Sequence, residues 1–126
     1  MPRYLRITIE EMNLVAELAQ TPSSEALWDA LPLQTQAHRW GDELYFNVPF
    51  ETQLETDART IVQIGDVAYW PDGPALCLFF GPTPVSRPNE IRAATAVNVC
   101  GRIQGDCTIL RQATDKTIIS LTREES

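Results

Sequence analysis

Along most of the chain, hydrophobic and polar positions trade places every second residue. From Tyr4 to Ile9, Leu5, Ile7 and Ile9 alternate with Tyr4, Arg6 and Thr8, the period of a half-buried strand. Glu10-Glu11-Met12-Asn13 makes a polar turn, and Leu14 to Leu18 returns as the second arm of a hairpin. Leu33 to Trp40 reads as a strand with Gln34, Gln36 and His38 as polar alternates, and Gly41-Asp42 turns the chain. Glu43 to Val48 alternates again, with Leu44, Phe46 and Val48 on one face and Glu43, Tyr45 and Asn47 on the other. Pro49 ends that pairing because it has no N–H to donate. Further on, Val67-Ala68-Tyr69-Trp70 and Ala75 to Phe80 flank Pro71-Asp72-Gly73-Pro74. Asp-Gly between apolar runs signals a hairpin, here lengthened by its two prolines. The second arm is apolar on both faces, which predicts a central strand covered from both sides.

The rest of the pattern is shorter. Thr21-Pro22-Ser23-Ser24-Glu25 opens a helix: Thr21 caps it, Pro22 fits the first turn and Glu25 suits the positive end of the dipole. Ala26, Leu27, Ala30 and Leu31 share its apolar face, and Pro32 ends it. At about ten residues it needs something to pack against. Phe50 to Arg59 is a polar, acidic connection, and Thr60 to Ile64 is a short apolar run. Gly81 to Asn89 carries Pro82, Pro84 and Pro88 and predicts a stiff, extended loop. Glu90 to Ala94 suggests one helical turn, and Ala96 to Ile103 a strand with Val97, Val99 and Ile103 opposite Asn98, Cys100 and Arg102. Cys107 to Leu110 and Thr117 to Leu121 read as the last strands, and Thr122 to Ser126 as a polar, frayed tail. The sum is one mainly β domain over residues 1–126, with about eight short strands and one helix, the pattern of a sandwich or a closed barrel.

Composition narrows the function classes. The 126 residues suit a single domain with a self-sufficient core. The net charge of −7 argues against nucleic-acid or anionic-membrane partners, which call for clustered Lys and Arg. No run approaches the roughly 18–20 apolar residues of a membrane span, and the N-terminus has no signal-peptide core. The three cysteines, Cys77, Cys100 and Cys107, lack Cys-x-x-Cys spacing, and the single histidine completes no zinc set. We therefore expect no metal, no cofactor and a reducing, cytoplasmic setting. Phosphate-binding glycine loops and nucleophile elbows are missing from the sequence.

Three segments together resemble the small cyclophilin-like proteins of bacteria and archaea. They are Gly41 to Phe46, then Gly65 to Pro71 with Ala75 to Pro84, then Val97 to Ile103. The resemblance runs over nearly the whole chain. It implies a closed cyclophilin-like β-barrel with the helix packed over an end. The Phe-His-Arg and Gln-Gly-Gly-Asp segments of catalytic cyclophilins have no counterpart: His38-Arg39 follows Ala37, and Gln104-Gly105-Asp106 holds one Gly. The resemblance accordingly assigns no catalytic residue.

Prolyl isomerisation needs an apolar pocket for the proline ring and a cation at the amide. The residues that could build such a groove are Tyr45, Trp70, Phe79, Phe80, Asn98 and Arg102. Arg102 lies mid-strand, whereas Arg39 sits beside a turn and reads as solvated. Glu43 and Asn98 are offered to a polar rim by their strands. Phe79 and Phe80 point to opposite faces, so the two cannot fill one interior. Three readings follow: a module binding a small molecule or a proline-containing peptide, a divergent peptidyl-prolyl isomerase, and a non-catalytic subunit that self-associates as a homo-oligomer.

Overall fold

The computed structural model describes residues 2–124. Within them the chain forms β1 (Arg3–Ile9), β2 (Met12–Leu18), α1 (Pro22–Ala30), β3 (Leu33–Gln36), β4 (His38–Arg39) and β5 (Glu43–Asn47). There follow β6 (Arg59–Val62), β7 (Asp66–Trp70), β8 (Ala75–Phe79), β9 (Ile91–Ile103), a 3-10 helix (Thr108–Gln112) and β10 (Ile118–Glu124). Nine of the ten strands form one antiparallel path, β3-β10-β1-β2-β9-β7-β8-β5-β4, and β6 pairs with β9 beside it.

The expected closed barrel is not seen in the strand pairing. The path is not a ring of hydrogen-bonded strands; it has two ends, β3 and β4. Those ends are consecutive in the chain, separated by Ala37 alone. The predicted strand Leu33 to Trp40 is broken there because the backbone changes partners. Leu33–Gln36 pairs with β10, and His38–Arg39 pairs with β5. At the break, the Ala37 N–H donates to Thr117 O at 2.7 Å and its carbonyl accepts from the Lys116 N–H at 2.9 Å.

The hairpins are where alternation puts them. Ile9 faces Met12 across the β1–β2 turn, and β7 pairs with β8 from Val67↔Leu78 to Trp70↔Ala75 around residues 71–74. β8 lies between β5 and β7 and is buried along its whole length, as its two apolar faces require. The tail predicted to fray instead extends β10 to Glu124, which pairs with Tyr4 and binds Arg6; residues 125 and 126 lie outside the described residues. The predicted strand at Cys107 is a 3-10 turn, begun by the Asp106 carboxylate accepting from the Thr108 N–H at 2.9 Å.

α1 buries Leu27 and, at its C-terminal end, Leu31, as its pattern predicts, and two serines besides. Thr21 caps it, its hydroxyl accepting from the Ser24 N–H at 3.2 Å. The buried positions are Ser23, Ser24 and Leu27, while Ala26 and Ala30 are half-buried. The serines can go under because each hydroxyl finds a partner: Ser24 donates to Cys100 O at 2.8 Å, and Ser23 donates to Glu55 Oε2 at 2.6 Å.

Two cores lie on opposite faces of the central strands. The larger gathers Leu5, Ile7, Leu27, Leu44, Phe46, Leu78, Phe80 and Ile119, among others. The smaller holds Val62, Ala68, Cys77, Phe79, Ala93 and Val97, edged by Tyr45 and Trp70. Alternation sorts β5, β7 and β8 between them: Leu44, Val67 and Leu78 go to the first, and Tyr45, Ala68 and Cys77 to the second. The second face is covered by the first half of β9, whose opening residues 91–94 fall in the stretch predicted as a helical turn. β9 therefore runs 13 residues and carries a register shift opposite Val67 and Ala68. That irregularity turns Ile103, expected on the face of Val97, into the larger core beside Cys100, while Val97 stays in the smaller, as a bulge re-aims the side chains that follow it.

Candidate functional site

The smaller core is not completely filled. Between the central strands and the covering arm of β9 lies a cavity of about 180 Å³. β5 gives it Glu43 and Tyr45, and Trp40 stands just ahead of that strand. β7 gives Trp70, and β8 gives Cys77 and Phe79. The arm contributes Ala93, Ala94 and Val97, small side chains that let it approach without closing the space. The register explains the convergence, since Glu43 pairs with Phe79 and Tyr45 with Cys77. Side chains on one face of adjacent antiparallel strands stand about 5 Å apart.

Two of the rings are pinned. The Trp70 indole N–H donates to Thr95 Oγ1 at 2.6 Å, and that hydroxyl donates to Asp72 Oδ2 at 2.7 Å. Tyr45 packs against His38 with ring centroids 5.4 Å apart.

Glu43 is the unusual group. It is 5% exposed, and among the described residues its Oε1 is the buried side-chain oxygen without a hydrogen-bond partner. Burial pushes its carboxyl up to about 7, with the Cys77 thiol drawing it partly back. The thiol itself is driven well above its ordinary value, first by burial and then by the neighbouring carboxylate. Cys77 is thus a protonated neighbour rather than a thiolate nucleophile. Glu43 can exist in either state near neutrality, able to donate when protonated and to accept when ionised. No lysine or arginine lines the cavity, and among the described residues no three His, Cys, Asp or Glu side chains converge as a metal-ligand set.

Of the six residues singled out in the sequence, the structure brings Tyr45, Trp70 and Phe79 together and leaves the other three elsewhere. Phe80 is fully buried in the larger core, with the Arg39 guanidinium 5.1 Å above its ring. Asn98 is fully buried too. Its amide donates to Ser23 Oγ at 2.8 Å and Gln53 O at 2.9 Å, and its oxygen accepts from the Glu55 N–H at 2.9 Å. Arg102 binds Asp66 Oδ1 at 3.1 Å and Gln63 Oε1 at 2.8 Å, with its side chain 58% exposed on a different, open cleft. The proline loop from Gly81 does not line the cavity either. Thr83 and Ser86 tie it to Arg92 at the start of β9.

Sequence reasoning passed over Trp40, Cys77, Ala93, Ala94 and Val97, and placed Glu43 on a rim rather than in a wall. A signal was present. Ala68, Trp70, Cys77 and Phe79 make a second apolar face, which must be covered, and the run Ala93-Ala94-Thr95-Ala96-Val97 is narrow enough to cover it closely.

Comparison with known proteins agrees with this architecture. The family model described as cyclophilin-like matches residues 3–122. The chain belongs to the cyclophilin-like family. Among solved structures, the solution structure of the hypothetical protein AF2241 from Archaeoglobus fulgidus is similar at 40% identity and a TM-score of 0.83. That match covers 98% of this chain and 95% of the other. No curated protein matches the chain. Within this cyclophilin-like domain no helix of the described residues is long and apolar enough to cross a membrane.

Proposed function

We propose that this cyclophilin-like chain is a binding module whose ligand seats one small group between β5, β7, β8 and the arm of β9. The observation that carries the reading is the cavity itself: preformed, walled by aromatic rings, and holding one buried carboxyl oxygen with no partner. Such a concave apolar site with a few convergent polar atoms is the usual form of a ligand pocket. Its size sets the scale of the ligand. At about 180 Å³ it falls below the roughly 300–1,000 Å³ of pockets for drug-sized molecules and close to the ~150 Å³ that admits benzene. It takes one ring or branched head group, from a small molecule or from a side chain of a peptide.

In the same reading the sheet is a barrel closed by chain continuity, its edges meeting in residues 33–39. The three free, buried cysteines support a cytoplasmic setting.

Ala94 stands exposed at the mouth of the cavity, so Ala94→Phe blocks entry without entering the core. Titrating a proline-containing tetrapeptide and a set of small amines, alcohols and acids should shift the Trp40 and Trp70 indole resonances saturably in the wild type only. Absence of saturable shifts with every compound defeats the reading. The isomerase alternative is favoured by one observation, that the cavity fits a pyrrolidine ring while Glu43, when protonated, can donate to an amide. If the tetrapeptide's cis/trans exchange accelerates and Ala94→Phe abolishes it, catalysis replaces simple binding.

A further inference from the structure

The pocket's chemistry is more particular than its size. A buried carboxylate oxygen without a partner costs stability unless a donor or a cation meets it. The titratable groups lining the cavity with Glu43 are the Cys77 thiol from β8 and the Tyr45 phenol from its own strand; His38 of β4 packs against Tyr45 without lining the cavity, and β9 adds only alanine and valine. Nothing on the protein side therefore supplies the missing positive charge. Around the carboxyl stand Trp40, Tyr45, Trp70 and Phe79. Ring faces attract cations, indole most strongly. The Trp70 N–H is already committed to Thr95, so what the indole has left to offer a ligand is its apolar surface. The whole chain carries a net charge of −7, which raises the local concentration of cations rather than anions.

We propose that the cavity recognises a small organic ammonium ion, a methylated or short-chain amine head group, with Glu43 as its counter-ion and the Trp40, Tyr45 and Trp70 rings as its walls. The proposal rests on the binding reading above and adds the charge of the ligand. The ammonium meets the orphan oxygen, and its alkyl groups take the apolar surface. A carboxylate that is part-protonated near neutrality makes the site proton-linked: binding the cation favours the ionised form and expels a proton.

The test uses the intact protein and two isosteric probes, tetramethylammonium chloride and the neutral tert-butanol, at constant ionic strength held with sodium chloride. Tetramethylammonium should perturb the Trp40, Tyr45 and Trp70 resonances saturably. It should bind about tenfold more tightly at pH 8 than at pH 6, following the fraction of ionised Glu43. Glu43→Gln should abolish that binding and its pH dependence while leaving any tert-butanol binding in place. Calorimetry in buffers of differing ionisation enthalpy should show net proton release at neutral pH from the wild type, a readout independent of the variant. If tert-butanol binds as well as the cation, or if the affinity is flat from pH 6 to 8 without proton release, the ammonium assignment is overturned and the pocket stands as a neutral apolar site. If neither probe shifts a pocket resonance, the ammonium assignment is likewise overturned. The tetrapeptide and fragment titration then judges the binding reading separately.

Discussion

Glu43 separates two things that strand alternation merges, the face a residue points to and whether that face is wet. Alternation correctly sets it beside Tyr45. A glutamate opening a strand next to a Gly-Asp turn nonetheless reads as solvated, and only the arm of β9 makes it dry. The consequence is measurable in stability. Its carboxyl moves from an ordinary value of 4.5 to about 7, so between those values the folded protein keeps a proton that the unfolded chain has lost. Stability therefore falls as pH rises through that window and levels off above it. The fall is on the order of 3 kcal/mol if the whole shift is expressed. Glu43→Gln keeps the shape and removes the charge. It should be more stable than the wild type by about 2–3 kcal/mol at pH 8 and nearly equal at pH 4. Urea denaturation of both proteins across that range checks it, and parallel curves would show that Glu43 is solvated after all.

At the scale of elements, what was legible followed from period two. The hairpins β1–β2 and β7–β8 and the doubly buried β8 all need only local pattern, and the sequence carries that pattern undisturbed. What was hidden depended on partners far along the chain. The start of β9 reads as a helical turn because Ala93 and Ala94 carry no strand signal of their own; pairing with β6 extends the strand through them. The predicted helix face left out Ser23 and Ser24, which can be buried only because Asn98, Glu55 and Cys100 supply partners. Asn98, predicted for a ligand rim, is instead the knot joining β9 to α1 and to the acidic connection near Gln53 and Glu55. Asn98→Ala strips three hydrogen bonds from a fully buried side chain at once. It should cost about 2–4 kcal/mol in chemical denaturation and speed hydrogen exchange at the Glu55 amide. Tetramethylammonium or peptide binding should stay unchanged in the folded fraction. Loss of binding with unaltered stability would return Asn98 to the ligand site.

For the whole molecule, the question is what holds the sheet's two ends together where no ladder does. Chain continuity through Ala37 fixes one point of the seam. The other is Arg39, which the sequence shows only as a cation beside a turn. Its guanidinium donates to Gly41 O at 2.8 Å, Arg111 O at 2.7 Å, Ala113 O at 2.9 Å and Asp42 Oδ1 at 3.0 Å. It also lies over Phe80, while the Arg39 N–H donates to Asp115 Oδ1 at 2.9 Å. One side chain thus spans from β4, one end of the strand path, to the segment that leads into β10, the neighbour of β3 at the other end. This arrangement depends on a planar fork of five donors, which lysine cannot reproduce. Arg39→Lys keeps the charge but leaves carbonyls of the seam unpaired, so it should cost about 1–3 kcal/mol. The loss should be local. Hydrogen exchange at the Ala37 and Lys116 amides, which bond at the break between β3 and β4, should accelerate well before that of β7 and β8. A variant that exchanges uniformly faster would mean the seam has no separate opening and the rolled sheet unfolds only as a unit.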